Sequence, residues 1–204
     1  MKTKILLLFC TVFLFLLSIS PIFAQDIQER EDPDQLERYT LGDQTLTLKS
    51  AMVIPLFFMS PDFSFTTTNL SIGGSFGLGW NSYLNNNIQL GAEVEALFSF
   101  SPNWRALFMV PVMARITNIF YFYPFEVPIY LSAGVCFTKL TDYFHIDPVI
   151  KPGAAFLWNL NTEWALGGSL EYYFIPQIYF AESLASQTRF GNFLDITFSA
   201  VYHF

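Results

Sequence analysis

The side chains of this chain that could do chemistry form two groups. The first surrounds His145, in the stretch "DYFHID", with Asp142 and Asp147 close by and Ser183 and Ser186 further along. A serine nucleophile needs a positioned base and a third group that orients the base. His145 and its aspartates have those residue types, but a lone histidine between two acids reads as a polar loop. One imidazole and two carboxylates are also a poor donor set for a metal. No glycine-rich phosphate loop follows a strand, because the glycines of "SIGGSFGLG" occupy strand positions. We expect no catalytic residues, no metal and no cofactor.

The second group is Lys49, Glu93, Glu95, Arg105, Arg115, Lys151, Glu171 and Asp195, four basic and four acidic side chains. Each lies on the polar side of a segment in which apolar and polar residues alternate. If that side is enclosed, the charges must pair, because an unpaired charge away from water is costly. The reading predicts a balanced ion-pair network. Glu93/Glu95–Arg115 and Glu171–Lys151 are its expected members, with Lys49 and Asp195 neighbours if the first and last segments meet.

The elements that would position these charges have a period of two. Eight alternating segments run from Thr45 to the end: Thr45–Leu56, Leu70–Tyr83, Ile88–Ser99, Trp104–Phe122, Phe125–Lys139, Asp147–Trp158, Trp164–Ile178 and Phe193–Phe204. Most are long enough to cross a hydrocarbon core as tilted strands. "LNNN", "YP" and "NLNTE" make three tight connections, rich in residues that suit turns. Phe57–Asn69, Ser101–Asn103, Leu140–Ile146 and Tyr179–Asn192 make the others, mostly longer. Pro55, Pro111, Pro152 and Pro176 fall inside segments and each removes a ladder hydrogen bond, so bulges or strand ends are expected there.

Composition says what these strands cross. Lys2 and Lys4 precede an apolar run from Ile5 to Leu17, and Ala24 stands where cleavage would follow, as in a secretory signal peptide over residues 1–24. Cys10 lies inside the run, which argues against lipidation. Loss of the leader takes the formal net charge from −7 to −9 and leaves Cys136 as the sole cysteine, so no internal disulfide can form. Residues 25–44 are acidic and poor in large apolar side chains, and read as a disordered periplasmic tail. Charged residues make up 13% of the chain and aromatics 19%, against about 25% charged in ordinary domains. After the leader no apolar run is long enough for a membrane helix. An exported, hydrophobic chain without such a helix points to an all-β fold over residues 45–204: an eight-stranded antiparallel up-and-down transmembrane β-barrel. The acidic balance argues against nucleic acid.

Face assignment follows from charge. The set Ile88, Leu90, Ala92, Val94, Ala96 and Phe98 carries none, whereas the alternate set carries Glu93 and Glu95. The polar sets also hold small residues such as Gly77, Ser132 and Gly153, which suit a narrow interior. The apolar sets are therefore assigned to lipid and the polar sets to the lumen. Trp80, Trp158 and Trp164 fall near the tight turns and Trp104 at the opposite end, as two aromatic girdles would.

The last residues, "DITFSAVYHF", keep the alternation to the final position through Ile196, Phe198, Ala200, Tyr202 and Phe204. This resembles the C-terminal signature of outer-membrane barrels, where alternating apolar residues and a terminal aromatic are read by the barrel-assembly machinery. With the leader and eight strands, the chain resembles the small-barrel class of OmpX, OmpW and the OmpA membrane domain. The resemblance covers Thr45 to Phe204 and implies a multi-pass protein of the cell outer membrane. Members of that class do different things on one scaffold. The favoured expectation is a narrow, porin-like passive channel or transporter for ions or small solutes. The alternative is a non-conducting structural or adhesin-like barrel that meets surface ligands through its loops. A hydrolase or acyltransferase at the outer rim ranks third.

Overall fold

The computed structural model describes residues 39–101, 105–140, 143–177 and 188–204. The expected signal peptide, residues 25–38 of the tail, Trp104, Asp142, Ser183 and Ser186 lie outside the described residues. The period-two segments become strands β1 (Gln44–Met59), β2 (Phe65–Thr67), β3 (Gly73–Tyr83), β4 (Ile88–Phe100), β5 (Ala106–Phe122), β6 (Phe125–Leu140), β7 (Tyr143–Asn159), β8 (Trp164–Gln177) and β9 (Arg189–His203). Consecutive long strands pair antiparallel, and β1 pairs with β9, so the eight long strands close into a barrel. The short β2 is an addition: it lies in the expected loop Phe57–Asn69 and pairs with Phe57–Met59 of β1.

Exposure follows the alternation. Leu90, Val94 and Phe98 on β4, and Ile196 and Phe198 on β9, are 37–60% exposed, whereas Glu93, Glu95 and Asp195 are at most 4% exposed. The outward surface is thus apolar and the inward one polar, as a bilayer requires. The thirteen residues of β4, at roughly 3.3 Å each and a tilt near 40°, rise about 33 Å, more than the apolar band of about 25 Å. The inner end is defined here as the one bearing the tight turns at 84–87, 123–124 and 160–163, together with the start of β1 and the end of β9. The outer end carries the remaining connections.

The chain's last residue is fixed by the first strand. Phe204 N–H donates to the Gln44 carbonyl at 3.0 Å, and Gln44 N–H donates to the Phe204 carbonyl at 2.9 Å. Outside the barrel, Tyr202 packs on Trp164 and on Phe204, with ring centroids 4.9 and 5.8 Å apart. Trp80 Nε1 donates to Gln44 Oε1 at 2.9 Å near the same end.

One expected loop needs correction. Leu140–Ile146 is not a long loop: β6 runs to Leu140 and β7 begins at Tyr143. Phe144 and Ile146 point outward, 59% and 58% exposed, while half-buried His145 and buried Asp147 alternate with them. His145 and Asp147 of "DYFHID" are thus inward members of a strand. Of Pro55, Pro111, Pro152 and Pro176, the last lies next to last in β8, a strand end as expected, while the other three lie inside strands. Pro55 sits at a bulge in the β1–β9 ladder, and the rungs opposite Pro111 and Pro152 are missing on one side only. Proline lacks the donor for one ladder, and the other ladder carries the strand through.

Candidate functional site

The inward charges meet at the waist of the barrel. Lys49 on β1 places Nζ 2.8 Å from Glu93, 3.1 Å from Glu95 and 2.9 Å from Glu171. Lys151 on β7 reaches the same three carboxylates from the other side, at 2.8, 2.6 and 2.8 Å. Arg115 on β5 lies 3.3 Å from Glu93, and its Nε donates to Thr117 Oγ1 at 3.2 Å. Three cations thus face three carboxylates, and every one of these side chains is at most 8% exposed. Each ammonium bridges three carboxylates, so the penalty for removing charge from water is met by several contacts at once.

Two tyrosines complete the waist. Tyr130 OH donates to Glu171 Oε1 at 2.6 Å, and the Arg115 guanidinium lies over its ring, 3.4 Å from the centroid. Tyr173 OH donates to Glu95, while Lys151 stands 5.2 Å over the Tyr173 ring. Room for these groups comes from two glycines. A Cβ on Gly77 would lie 2.5 Å from Glu95 Cγ, and one on Gly153 would lie 2.5 Å from the Tyr130 ring. Sequence reasoning left Tyr130 and Tyr173 out of the charge cluster. The signal was parity: Tyr130 shares its face with Ser132, and Tyr173 shares its face with Glu171.

Two expected members sit elsewhere. Arg105 is not in the waist; it precedes β5 at the outer end and is exposed. Lys49 does not pair with Asp195. Its rung partner on β9 is Ser199, while Asp195 lies opposite Val53 and Glu171, further toward the outer end. Asp195 is fully buried. It accepts from Ser75 Oγ at 3.2 Å through Oδ2, and Oδ1 has no hydrogen bond.

The lumen differs on the two sides of the waist. Below it lies a polar space of about 40 Å³, lined among others by Thr45, Asn81, Gln89 and Thr117. Tyr39 closes the inner mouth beneath that space. Its ring stacks on Tyr83 at 4.4 Å and on His203 at 5.0 Å, and its OH donates to Glu126 at 3.4 Å. Above the waist comes an apolar layer that includes Val53, Leu97, Met113, Val149 and Tyr173. Beyond that layer a cleft of about 450 Å³ opens among the outer strand ends. Phe58, Leu70, Leu107, Met109, Ile175 and Phe193 give it apolar walls, and Arg105, Arg189 and Asp147 are its charged members.

A protein-family model matches residues 26–202. The chain belongs to that family. It is also similar to an uncharacterized protein of Borreliella burgdorferi, 23% identical, over 79% of this chain and 85% of the relative. A second similar protein, an uncharacterized one of Treponema pallidum, is 23% identical over 65% of this chain and 59% of its own length. Among solved structures, Neisserial surface protein A superposes with a TM-score of 0.57 at 10% identity, covering 79% of this chain and 97% of that one. The outer-membrane protein OprG of Pseudomonas aeruginosa gives 0.52 at 10% identity, covering 83% and 99%. The fold is therefore the small eight-stranded outer-membrane barrel.

Proposed function

We propose that this protein is an outer-membrane surface barrel with a closed lumen that works at its outer end. The observation that carries this reading is the waist, where Lys49, Lys151 and Arg115 interlock with three glutamates, none of the six side chains more than 8% exposed. An eight-stranded barrel is just wide enough to be filled by its side chains, and here ion pairs and two tyrosine rings do the filling. The outer cleft is then the part of the interior that a ligand can reach. The Neisserial neighbour is a surface protein, which agrees with this reading. On this reading β9, with Ile196, Phe198 and Tyr202 on one face, is the strand presented to the barrel-assembly machinery, and the lipid bilayer is the protein's permanent partner.

A second reading, the channel, is favoured by the polar space on the inner side, because parting one layer of ion pairs would join it to the outer cleft. Planar-bilayer recording of the refolded chain from Gln25 to Phe204 separates the two. A folded but electrically silent barrel is expected. Discrete steps whose size or selectivity changes in Glu93→Gln and Arg115→Gln would establish the channel instead.

A further inference from the structure

We propose that the outer cleft binds a single-chain amphiphile with an anionic head, its tail on the apolar floor and its head at the arginine rim. The inference rests on the reading that the protein works at its outer end, and it names the ligand class.

The cleft is built as a binding site. Its floor is made by Leu107, Met109, Ile175 and Phe193, all at most 7% exposed yet lining a cavity of about 450 Å³. Small-molecule sites typically enclose about 300–1,000 Å³, so the volume suits one chain rather than a bulky ligand. Barrels of this strand number normally fill their interior with side chains. Because the cleft opens outward it holds water when it holds no ligand, and an apolar chain laid on the floor would displace water that has few polar partners there.

Charge selects the head group. The chain is acidic overall, at −7, yet among the described residues two of the three charged ones lining the cleft are arginines. Arg105 is exposed at the outer start of β5, and Arg189 opens β9 beside Gln177. A guanidinium presents a fork of donors that matches carboxylate and phosphate oxygens. The remaining charge, Asp147, is set deeper. It is 4% exposed, bonded to the Thr138 hydroxyl and paired in the ladder with buried Cys136. An anionic head is repelled from that level and attracted to the rim, so the two signs of charge orient the ligand. A cationic amphiphile meets arginines first, and a neutral one gains nothing from them.

The test uses the mature chain in phosphatidylcholine nanodiscs, with radiolabelled laurate and dodecanol as probes and empty discs as background. Saturable laurate binding at one per barrel is expected, with affinity reduced about tenfold or more in Arg105→Gln/Arg189→Gln, the range for losing a charge-assisted hydrogen bond. Dodecanol should bind more weakly and respond little to the arginine change. Met109→Trp, or Leu107→Phe if the first fails to fold, should abolish binding of both by filling the floor. Lysophosphatidylglycerol identifies the source: competition against laurate assigns a single-chain membrane lipid, and no competition assigns a free fatty acid. Non-saturable laurate uptake, equal binding of the alcohol, or indifference to the arginine substitutions would overturn the proposal. Conductance is read separately. A barrel that conducts yet holds laurate loses the closed-lumen reading alone, and a silent barrel that ignores laurate loses this proposal alone.

Discussion

Lys151 is fully buried and touches Glu93, Glu95 and Glu171. Its replacement by methionine removes the charge but little volume, and leaves three carboxylates to share Lys49 and Arg115. Breaking a buried ion cluster by deleting one partner costs about 3–5 kcal/mol, so Lys151→Met should lose stability on that scale in chemical unfolding from lipid vesicles. Asp195 should behave in the opposite way. One of its oxygens is buried without a hydrogen bond, and it has no cation within ion-pair distance among the described residues. Asp195→Asn keeps the shape and an acceptor for Ser75 and removes a carboxyl beside the carboxylates of the waist. The same unfolding assay should show a change within about 1 kcal/mol, or a gain. A loss as large as that of Lys151→Met would mean that Asp195 belongs to the ion-pair network.

At the scale of the strand, the decisive property is which way each residue points. Val94 and Phe198 are 45% and 60% exposed on the outward face, whereas Phe63, 58% exposed, lies in the tight turn between β1 and β2. Cysteines at Val94 and Phe198 should resist a water-soluble maleimide in intact membranes, and one at Phe63 should react readily. Ready labelling at Val94 would place the water on the wrong side of the sheet. Strand direction was also the most legible part of the sequence, because a period of two survives local substitutions and fixes parity for a whole segment. Parity put Glu93, Glu95, Lys151 and Glu171 on one face without any knowledge of the third dimension. It could not give the stagger between strands, so Lys49 was set beside Asp195 instead of Ser199. It also could not separate strand from loop where inward residues are polar, which is why the start of β7 read as a loop. Arg105 was misplaced because its strand begins one residue later, at Ala106.

At the scale of the whole barrel, the closed-lumen reading rests on two barriers in series among the described residues, the ion-paired waist and the Tyr39 ring at the inner mouth. Tyr39→Ala removes two aromatic stacks, each worth about 0.5–1.5 kcal/mol, and should lower the unfolding midpoint accordingly. Its conductance should stay at zero because the waist is untouched. Discrete steps in Tyr39→Ala would instead put the barrier at the mouth. The sequence points to a cleft near the loops only through the OmpW resemblance, with Phe57, Phe58, Phe63, Phe65 and Trp104 as its lining; of these Phe58 lines the outer cleft, and Trp104 lies outside the described residues. That cleft is a volume left between β1, β2, β5, β6, β7, β8 and β9, and depends on how far each strand extends past the waist.

The waist also carries a consequence for closure. Lys49 and its partners Glu93 and Glu95 come from β1 and β4, early in the chain, whereas Lys151 and Glu171 come from β7 and β8, late in it. Each half balances in charge by itself, Lys49 and Arg115 against Glu93 and Glu95, and Lys151 against Glu171. Three further contacts, Lys49–Glu171, Lys151–Glu93 and Lys151–Glu95, join one half to the other across the axis. An open sheet lacks those three, so the waist rewards closure with ion pairs that no single half can make.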